Sequence, residues 1–180
     1  MMEKGPKTLD ELLQVVPGLS RLRSLNASML RVLLDRKKKQ CTWCGSEVKK
    51  PRLNWCGDKC LEEFNMRCSP QSQAREVIER DKGICSICNR DINQQMELFK
   101  SAWEEELKKF PSLHSSDRWK AHDSMERKFG GIRGVWMEVD HILPVIEGGG
   151  LCGLDNLRLL CAVCHKGETR KLAKRRREAA

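Results

Sequence analysis

The sequence contains no tyrosine, and aromatic residues occupy only 5% of its 180 positions, whereas charged residues occupy 33%. A chain with so few large apolar side chains builds modest hydrophobic cores, so its fold needs another source of stability. Bound metal is the expected reinforcement. The length corresponds to one ordinary domain or to two small ones.

Long apolar segments are also missing. No apolar run approaches the length of a membrane-spanning helix, and the mean hydropathy is −0.57. The opening residues, MMEKGPKTLDE, lack the apolar stretch of a secretory signal peptide. We therefore expect a soluble protein without a membrane partner, cytoplasmic and nucleoid-associated, or nuclear in a eukaryote.

The cysteines are grouped in tight pairs, which favours metal binding in a reducing compartment over disulfides. The first two pairs, CxxC and CxxxC, have the spacing of a tetrahedral zinc site, whereas buried free thiols would not need such pairs. Four thiolates close the coordination shell, so this zinc is predicted to be structural, with Asp58 capping the helix that follows. The predicted ligands are Cys41, Cys44, Cys56 and Cys60, and Lys49, Lys50 and Arg52 nearby could contact nucleic acid.

A second structural zinc site is predicted from two distant CxxC pairs. RDKGICSIC supplies the first pair and LCAVCHK the second, with 72 residues between them. Zinc bound by both pairs would hold the two ends of one core together. The predicted ligands are Cys85, Cys88, Cys161 and Cys164, which leaves Cys68 and Cys152 outside both sites.

Helical patterns fill much of the remaining chain. Thr8 with Glu11 forms a capping box for a short helix that Pro17 and Gly18 end. A longer helix is predicted from Ser20, and another begins at Ser69–Pro70 and ends before Gly83. Between the halves of the second cysteine site, two apolar stripes predict a helical hairpin: Met96, Phe99, Trp103, Leu107 and Phe110, then Trp119, His122, Met125 and Phe129. His114 and His122 have no neighbouring ligand types, so we interpret them as bystanders.

A predicted strand, Val135 to Val139, leads into Asp140 and His141. Adjacent strand residues point in opposite directions, so these two side chains do not easily bind one ion, although a strand end or bulge could aim both at one substrate. Gly148 to Gly150 form either an ordinary turn or a close approach to a phosphate. Asn156 then opens the second strand, and a helix from about Ala162 carries His165, which can face Asp140.

The stretch EVDHILPVIEGGGLCGLDNLRLLCAVCHK, together with RDKGIC upstream, resembles the HNH (His-Me finger) endonucleases. Their signature runs roughly DHIxP, a GG loop and NLxxLCxxCH, with a partner CxxC after RDxGxC. The layout, with a further cysteine quartet upstream, looks most like the C-terminal nuclease module of the fork-remodelling annealing helicases. The resemblance implies that Asp140 and His165 hold a catalytic Mg²⁺ or Mn²⁺, that His141 is the general base and that Asn156 tethers the loop.

One position departs from the family pattern. The pattern has Lys or Arg before the Thr of CHxxKT, whereas this chain has Glu168 before Thr169. A phosphate contact is missing there unless Lys166 or Arg170 replaces it, while Glu168 can pair with Lys171 along the helix.

Basic charge supports a nucleic-acid partner. The net charge is +9, and residues 161–180 carry seven basic and two acidic side chains, a net charge of +5. Lys166, Arg170 and Lys174 share one helical face and are predicted to bind the DNA backbone. The alternative is a basic tail that merely improves solubility.

We therefore predict a small α+β protein. It consists of a helical segment (1–40), a four-cysteine zinc finger (41–68) and a nuclease domain (69–180). The last is a zinc-stabilised, treble-clef-like ββα-metal HNH core with a helical insertion at about 89–134 and a basic helix at about 162–178. The predicted activity is metal-dependent hydrolysis of DNA, with a replication, repair or defence protein as a possible partner. The alternative is a non-catalytic zinc-dependent module that binds nucleic acid or docks a protein.

Overall fold

The computed structural model describes residues 6–16, 18–109, 119–125 and 137–179. Helices and one two-stranded antiparallel sheet confirm the predicted α+β class. The strands are β1 (Met137–His141) and β2 (Leu157–Cys161), and short 3-10 helices lie at Leu19–Arg21, Val145–Glu147 and Leu154–Asn156. The α-helices are α1 (Leu9–Val15), α2 (Ala27–Leu33), α3 (Asp58–Cys68), α4 (Pro70–Asp81), α5 (Ile92–Lys108) and α6 (Ala162–Glu178). None of the described helices has the length and apolar character needed to cross a membrane.

The chain divides into two compact units. The first contains Met1–Arg80 and Val139–Arg158, and the second contains Asp81–Glu138 and Leu159–Ala180. The three-part division at residues 41 and 69 stays a prediction.

The first unit has one hydrophobic core that sequence-distant segments share. Leu12 from α1 and Leu30 from α2 are buried beside Phe64 from α3. Leu151, which follows the three glycines, is only 1% exposed and belongs to the same core. The glycine loop is therefore packed against the N-terminal helices and the helix of the first finger.

The N-terminal segment differs from its predicted form. α1 begins as expected, because the Thr8 hydroxyl accepts a hydrogen bond from the Glu11 N–H (3.2 Å). The long helix predicted from Ser20 is wrong, since a 3-10 turn is followed by an extended stretch and α2 starts only at Ala27. The reason is Asn26, whose side chain accepts from the Met29 N–H (2.8 Å) and so starts a new helix.

The helices after the first finger are largely as predicted. α4 begins at Pro70 and ends just before Gly83, whose φ is +75°. The expected cap at Asp58 is wrong, because Gly57 is the capping position and makes no side-chain cap. The Asp58 carboxylate instead accepts two hydrogen bonds from Arg52 (2.8 and 3.0 Å).

The second unit contains the first helix of the predicted insertion. Asp91 caps α5, because its carboxylate accepts a hydrogen bond from the Gln94 N–H (3.0 Å), and the first residue of the helix, Ile92, is completely buried. Residues 119–125 are also helical, and His122 stacks on Trp119 with ring centroids 5.8 Å apart. Phe110, His114 and Phe129 lie outside the described residues, as do the first two positions of the predicted strand, while β1 continues through His141.

Candidate active site and zinc sites

The first cysteine quartet has the geometry of a zinc site. The four sulfurs lie within 4.8 Å of one another, and the Sγ atoms of Cys44 and Cys56 are 3.5 Å apart. Zinc–sulfur bonds of about 2.3 Å in a tetrahedron place the sulfurs about 3.8 Å apart, whereas a disulfide needs about 2.0 Å. All ten cysteines are free. The quartet Cys41, Cys44, Cys56 and Cys60 could therefore hold zinc.

A tight backbone turn presents the first pair of this quartet. The Cys41 N–H donates to the Ser46 carbonyl (2.7 Å), and the Gly45 N–H donates back to the Cys41 carbonyl (2.9 Å). Gly45 has a φ of +78°, which glycine adopts without strain. Burial would raise the pKa of Cys44, but hydrogen bonds from Ser46 outweigh it and lower that pKa to about 6. The turn thus favours the metal-binding thiolate at Cys44, whereas burial raises the pKa of Cys60 in the same quartet.

The second quartet repeats this arrangement in the second unit. The Cys85 N–H donates to the Arg90 carbonyl (2.9 Å), and the turn closes at Asn89 with a φ of +55°. Burial raises the pKa of Cys85, yet backbone N–H groups, first that of Cys161, lower it to about 6. The Sγ atoms of Cys88 and Cys161 are 3.8 Å apart, close to the tetrahedral spacing. Cys85, Cys88, Cys161 and Cys164 could therefore hold a second zinc.

The two remaining cysteines lie apart from both quartets, as expected. Cys68 is only 3% exposed, and burial raises the pKa of its thiol to about 12. Burial also raises the pKa of Cys152. Within the described ranges, the residue groups able to hold a metal through three or more ligands are the two quartets, so His122 belongs to none.

Asp140 and His141 are consecutive residues at the end of β1. Asp140 Oδ2 accepts hydrogen bonds from Arg158 Nη2 (2.9 Å) and Nε (3.2 Å), and both side chains are mostly buried. Arg158 is not among the site residues predicted from the sequence. Strand alternation was the available signal, because in β2 this cation lies between the buried Leu157 and Leu159 and must face the other side of the sheet.

The environment of His141 favours the neutral ring. Burial lowers the pKa of the imidazole, and the positive charge of Arg23 lowers it further, while Asp140 acts in the opposite direction. The neutral form is the one that can accept a proton. Arg23 was also not predicted as a site residue. It lies 117 positions before Asp140 in the sequence, and no sequence pattern connects the two.

Asn156 holds the chain just after His141. Its Oδ1 accepts from the Leu143 N–H (2.8 Å), while its Nδ2 donates to the carbonyls of Leu143 (3.1 Å) and Gly149 (2.9 Å). Its own carbonyl accepts from the Ile142 N–H (2.9 Å). One residue thus joins the segment after His141, the glycine loop and the start of β2.

The glycine loop is closely packed against other backbone segments of the first unit. A Cβ at Gly149 would lie 1.8 Å from the Leu143 carbonyl oxygen, and one at Gly150 would lie 2.1 Å from the Leu22 carbonyl oxygen. No side chain fits at either position. At these two glycines, the close approach is to the chain itself.

The remaining predicted residues lie on α6 in the second unit. Lys166, Arg170 and Lys174 are exposed, and Lys174 is 3.8 Å from Glu178. The predicted pair of Glu168 with Lys171 is confirmed at 2.8 Å. His165 is partly buried on the same helix. That His165 and Asp140 bind the same catalytic metal ion stays a prediction.

A two-stranded sheet followed by a helix, a DH pair at a strand end and a cysteine quartet that could hold zinc are the features expected of a ββα nuclease-type module. In agreement, residues 128–171 match the family model described as HNH endonuclease.

Curated relatives show a similar likeness. Over 126 residues the chain is 36% identical to the human protein "DNA annealing helicase and endonuclease ZRANB3" and 38% identical to its bovine counterpart, and the mouse counterpart is 36% identical. Each match covers 68% of this chain but only 11% of the relative, so the chain spans about a tenth of their length. No solved structure matches the chain significantly.

Proposed function

We propose that the protein is a metal-dependent endonuclease that hydrolyses phosphodiester bonds in DNA, nicking duplex or structured substrates. The observation that carries the proposal is the DH pair at the end of β1. Arg158 donates hydrogen bonds to Asp140, and Asn156 holds Leu143, two residues after His141. The match to the HNH model and the word endonuclease in the names of the relatives support it.

Asp140 and His165 would hold the catalytic ion, Mg²⁺ or Mn²⁺. Arg158 occupies only Oδ2 of Asp140, so Oδ1 is left as an oxygen donor of the kind these ions prefer. When bound, the ion would stabilise the negative charge that grows on the phosphoryl and leaving oxygens.

His141 would act as the general base. Its neutral imidazole takes a proton from water as the water oxygen forms a bond to phosphorus, and the bond from phosphorus to the sugar oxygen breaks. Asn156 would keep the ring in place by fixing Ile142 and Leu143 directly after it. Lys166, Arg170 and Lys174 would bind backbone phosphates along α6 with little preference for base sequence.

A second candidate is a module that binds nucleic acid or a partner protein without cleaving. Two observations favour it: Asp140 is already paired with Arg158, and Glu168 stands where the family pattern has a cation. Two structural zinc sites and a basic helix would suit binding equally well.

Cleavage assays separate the two candidates. Labelled duplex, single-stranded and branched DNA would be incubated with wild-type protein, His141→Ala and His122→Ala in Mg²⁺ or Mn²⁺. We expect His141→Ala to lose about 10²-fold or more in rate while it keeps its zinc and its DNA affinity. His122→Ala removes a histidine outside the site and should cleave normally.

Metal titration assigns the ligands. Asp140→Ala and His165→Ala should both weaken binding of Mn²⁺, whereas His141→Ala should not. Wild-type protein that binds all three DNAs but cuts none would support the binding module. A His141→Ala protein that cleaves at the wild-type rate would remove the base assignment.

A further inference from the structure

The segment from Gly18 to Leu25 packs directly on the glycine loop of the nuclease site. The Gly150 N–H donates to the Ser20 carbonyl oxygen (2.6 Å). A Cβ at position 150 would lie 2.7 Å from that oxygen and 2.1 Å from the Leu22 carbonyl oxygen. The two backbones therefore touch, which is possible only because residue 150 is glycine.

Further contacts hold the segment and the loop in this position. Leu19 and Leu25, on either side of the contact, are buried in the same core as Leu151. The Arg67 Nε donates to the Leu151 carbonyl (3.0 Å), and Arg67 Nη2 pairs with Asp10 (2.7 Å). Since both ends are fixed, the exposed residues between them have defined positions.

Arg23 is one of these exposed residues. It directly follows Leu22, whose carbonyl oxygen lies against Gly150, and its positive charge is near enough to lower the pKa of His141. Across residues 6–16, 18–109, 119–125 and 137–179, no carboxylate forms an ion pair with it, unlike Arg67 and Arg158. Arg23 is therefore a cation without a carboxylate partner near the proposed general base. The negatively charged phosphate of a DNA substrate can serve as its counter-ion.

We propose that two features of the Gly18–Leu25 segment belong to the nuclease site: the backbone of Ser20 and Leu22 supports the glycine loop, and the Arg23 side chain binds a DNA phosphate beside His141. This inference rests on the proposed function and adds a residue to it. Arg23 would supply a cation at a site where Glu168 replaces the basic residue of the family pattern.

Arg23→Gln and Arg21→Gln form a matched pair that tests the phosphate contact. Both arginines are exposed on the same segment, so each variant loses one charge and should fold normally. We expect Arg23→Gln to lower kcat/KM for the cleaved DNA by about tenfold to a hundredfold, the range for a hydrogen bond to a charged group. The slope of log affinity against log salt should flatten by about 0.9. Arg21→Gln should change the cleavage rate less than twofold.

Gly150→Ala tests the support of the loop, with Gly57→Ala as control because a Cβ at Gly57 meets nothing within 4 Å. If the segment is displaced, Gly150→Ala should lower cleavage, and adding Arg23→Gln should lower it little further. Zinc content and circular dichroism identify a variant that has simply unfolded, and in that case the arginine pair decides.

Failure of the Arg23 inference and failure of the nuclease proposal give different experimental results. If wild-type protein cleaves and the two arginine variants behave alike, the inference is overturned while the nuclease assignment stands. If wild-type protein cleaves no DNA, the nuclease assignment fails, and an unchanged salt slope in Arg23→Gln would overturn the phosphate contact as well.

Discussion

Replacing Asn156 by alanine removes three side-chain hydrogen bonds that join the segment after His141 to the glycine loop. Two of them involve the backbone of Leu143, a residue that is 48% exposed, so water can replace part of what is lost there. The third involves the carbonyl of Gly149, a buried residue that water reaches poorly.

The structure sets the size of the expected effect. An unsatisfied buried carbonyl costs about 1–3 kcal/mol, and each replaceable hydrogen bond contributes about 0.5–1.5 kcal/mol at most. We therefore expect Asn156→Ala to lower the free energy of unfolding by about 2–4 kcal/mol, a large part of the ~5–15 kcal/mol that is typical of a folded domain. Most molecules should still be folded at 25 °C.

Urea unfolding followed by circular dichroism measures this change. Asn156→Asp is the informative companion, because it keeps the acceptor for the Leu143 N–H but turns a carboxylate towards two carbonyl oxygens. It should be at least as unstable as Asn156→Ala. Asn93→Ala, which removes one exposed hydrogen bond to the Lys82 carbonyl, should change stability by only about 0.5 kcal/mol.

Cleavage gives a second readout. Asn156 acts on His141 only through Ile142 and Leu143, so its removal should slow cleavage less than the loss of His141 itself, by about tenfold rather than about 10²-fold. The reasoning would be refuted if Asn156→Ala kept both wild-type stability and wild-type cleavage, or if Asn156→Asp were as stable as the parent.

Three further predictions concern metal and charge. Protein purified without chelator should contain two zinc ions per chain by elemental analysis, and removing the second should unfold the second unit because its binding energy is also folding energy; one zinc, or a disulfide within a quartet, would contradict this. In the zinc-loaded protein at pH 8, iodoacetamide should leave Cys68 unmodified, since its pKa of about 12 keeps the thiol protonated; rapid alkylation detected by mass spectrometry would oppose this. If α6 neutralises about four phosphates, log affinity should fall with log salt at a slope of about −3.6, and Arg170→Ala with Lys174→Ala should flatten it by about two; an unchanged slope would shift the DNA contact to Lys49, Lys50 and Arg52.

The two cysteine quartets could be predicted from the sequence because the turns that form them depend on neighbouring residues. A CxxC pair on a turn brings two thiols together whatever surrounds it, and the glycine and asparagine at the turns permit the positive φ values that the turns require. The start of α4 could be predicted for the same reason, because Ser69–Pro70 is a local signal for the beginning of a helix.

The contacts around Asp140 and His141 could not be predicted because they depend on which distant segments meet. Periodicity indicated one helix from Ser20, but the cap at Asn26 outweighed it and left residues 22–25 outside any helix. The glycine loop is contacted by Leu22 in this stretch and by Ser20 in the 3-10 helix before it. Arg23 lies near the proposed site because the predicted helix does not form there. Arg158 lies beside Asp140 because the two strands pair.

The shared core of the first unit links the first cysteine quartet to the predicted chemistry. Leu151 is almost fully buried against α1, α2 and α3, and α3 itself contains the quartet residue Cys60. Because the unit has few aromatic residues, its stability should depend strongly on zinc at this quartet. Loss of that zinc would loosen α3, release the Arg67 contact with Leu151 and free the glycine loop that Asn156 joins to His141. The first zinc can therefore be essential for cleavage even though its four thiolates leave no position for substrate.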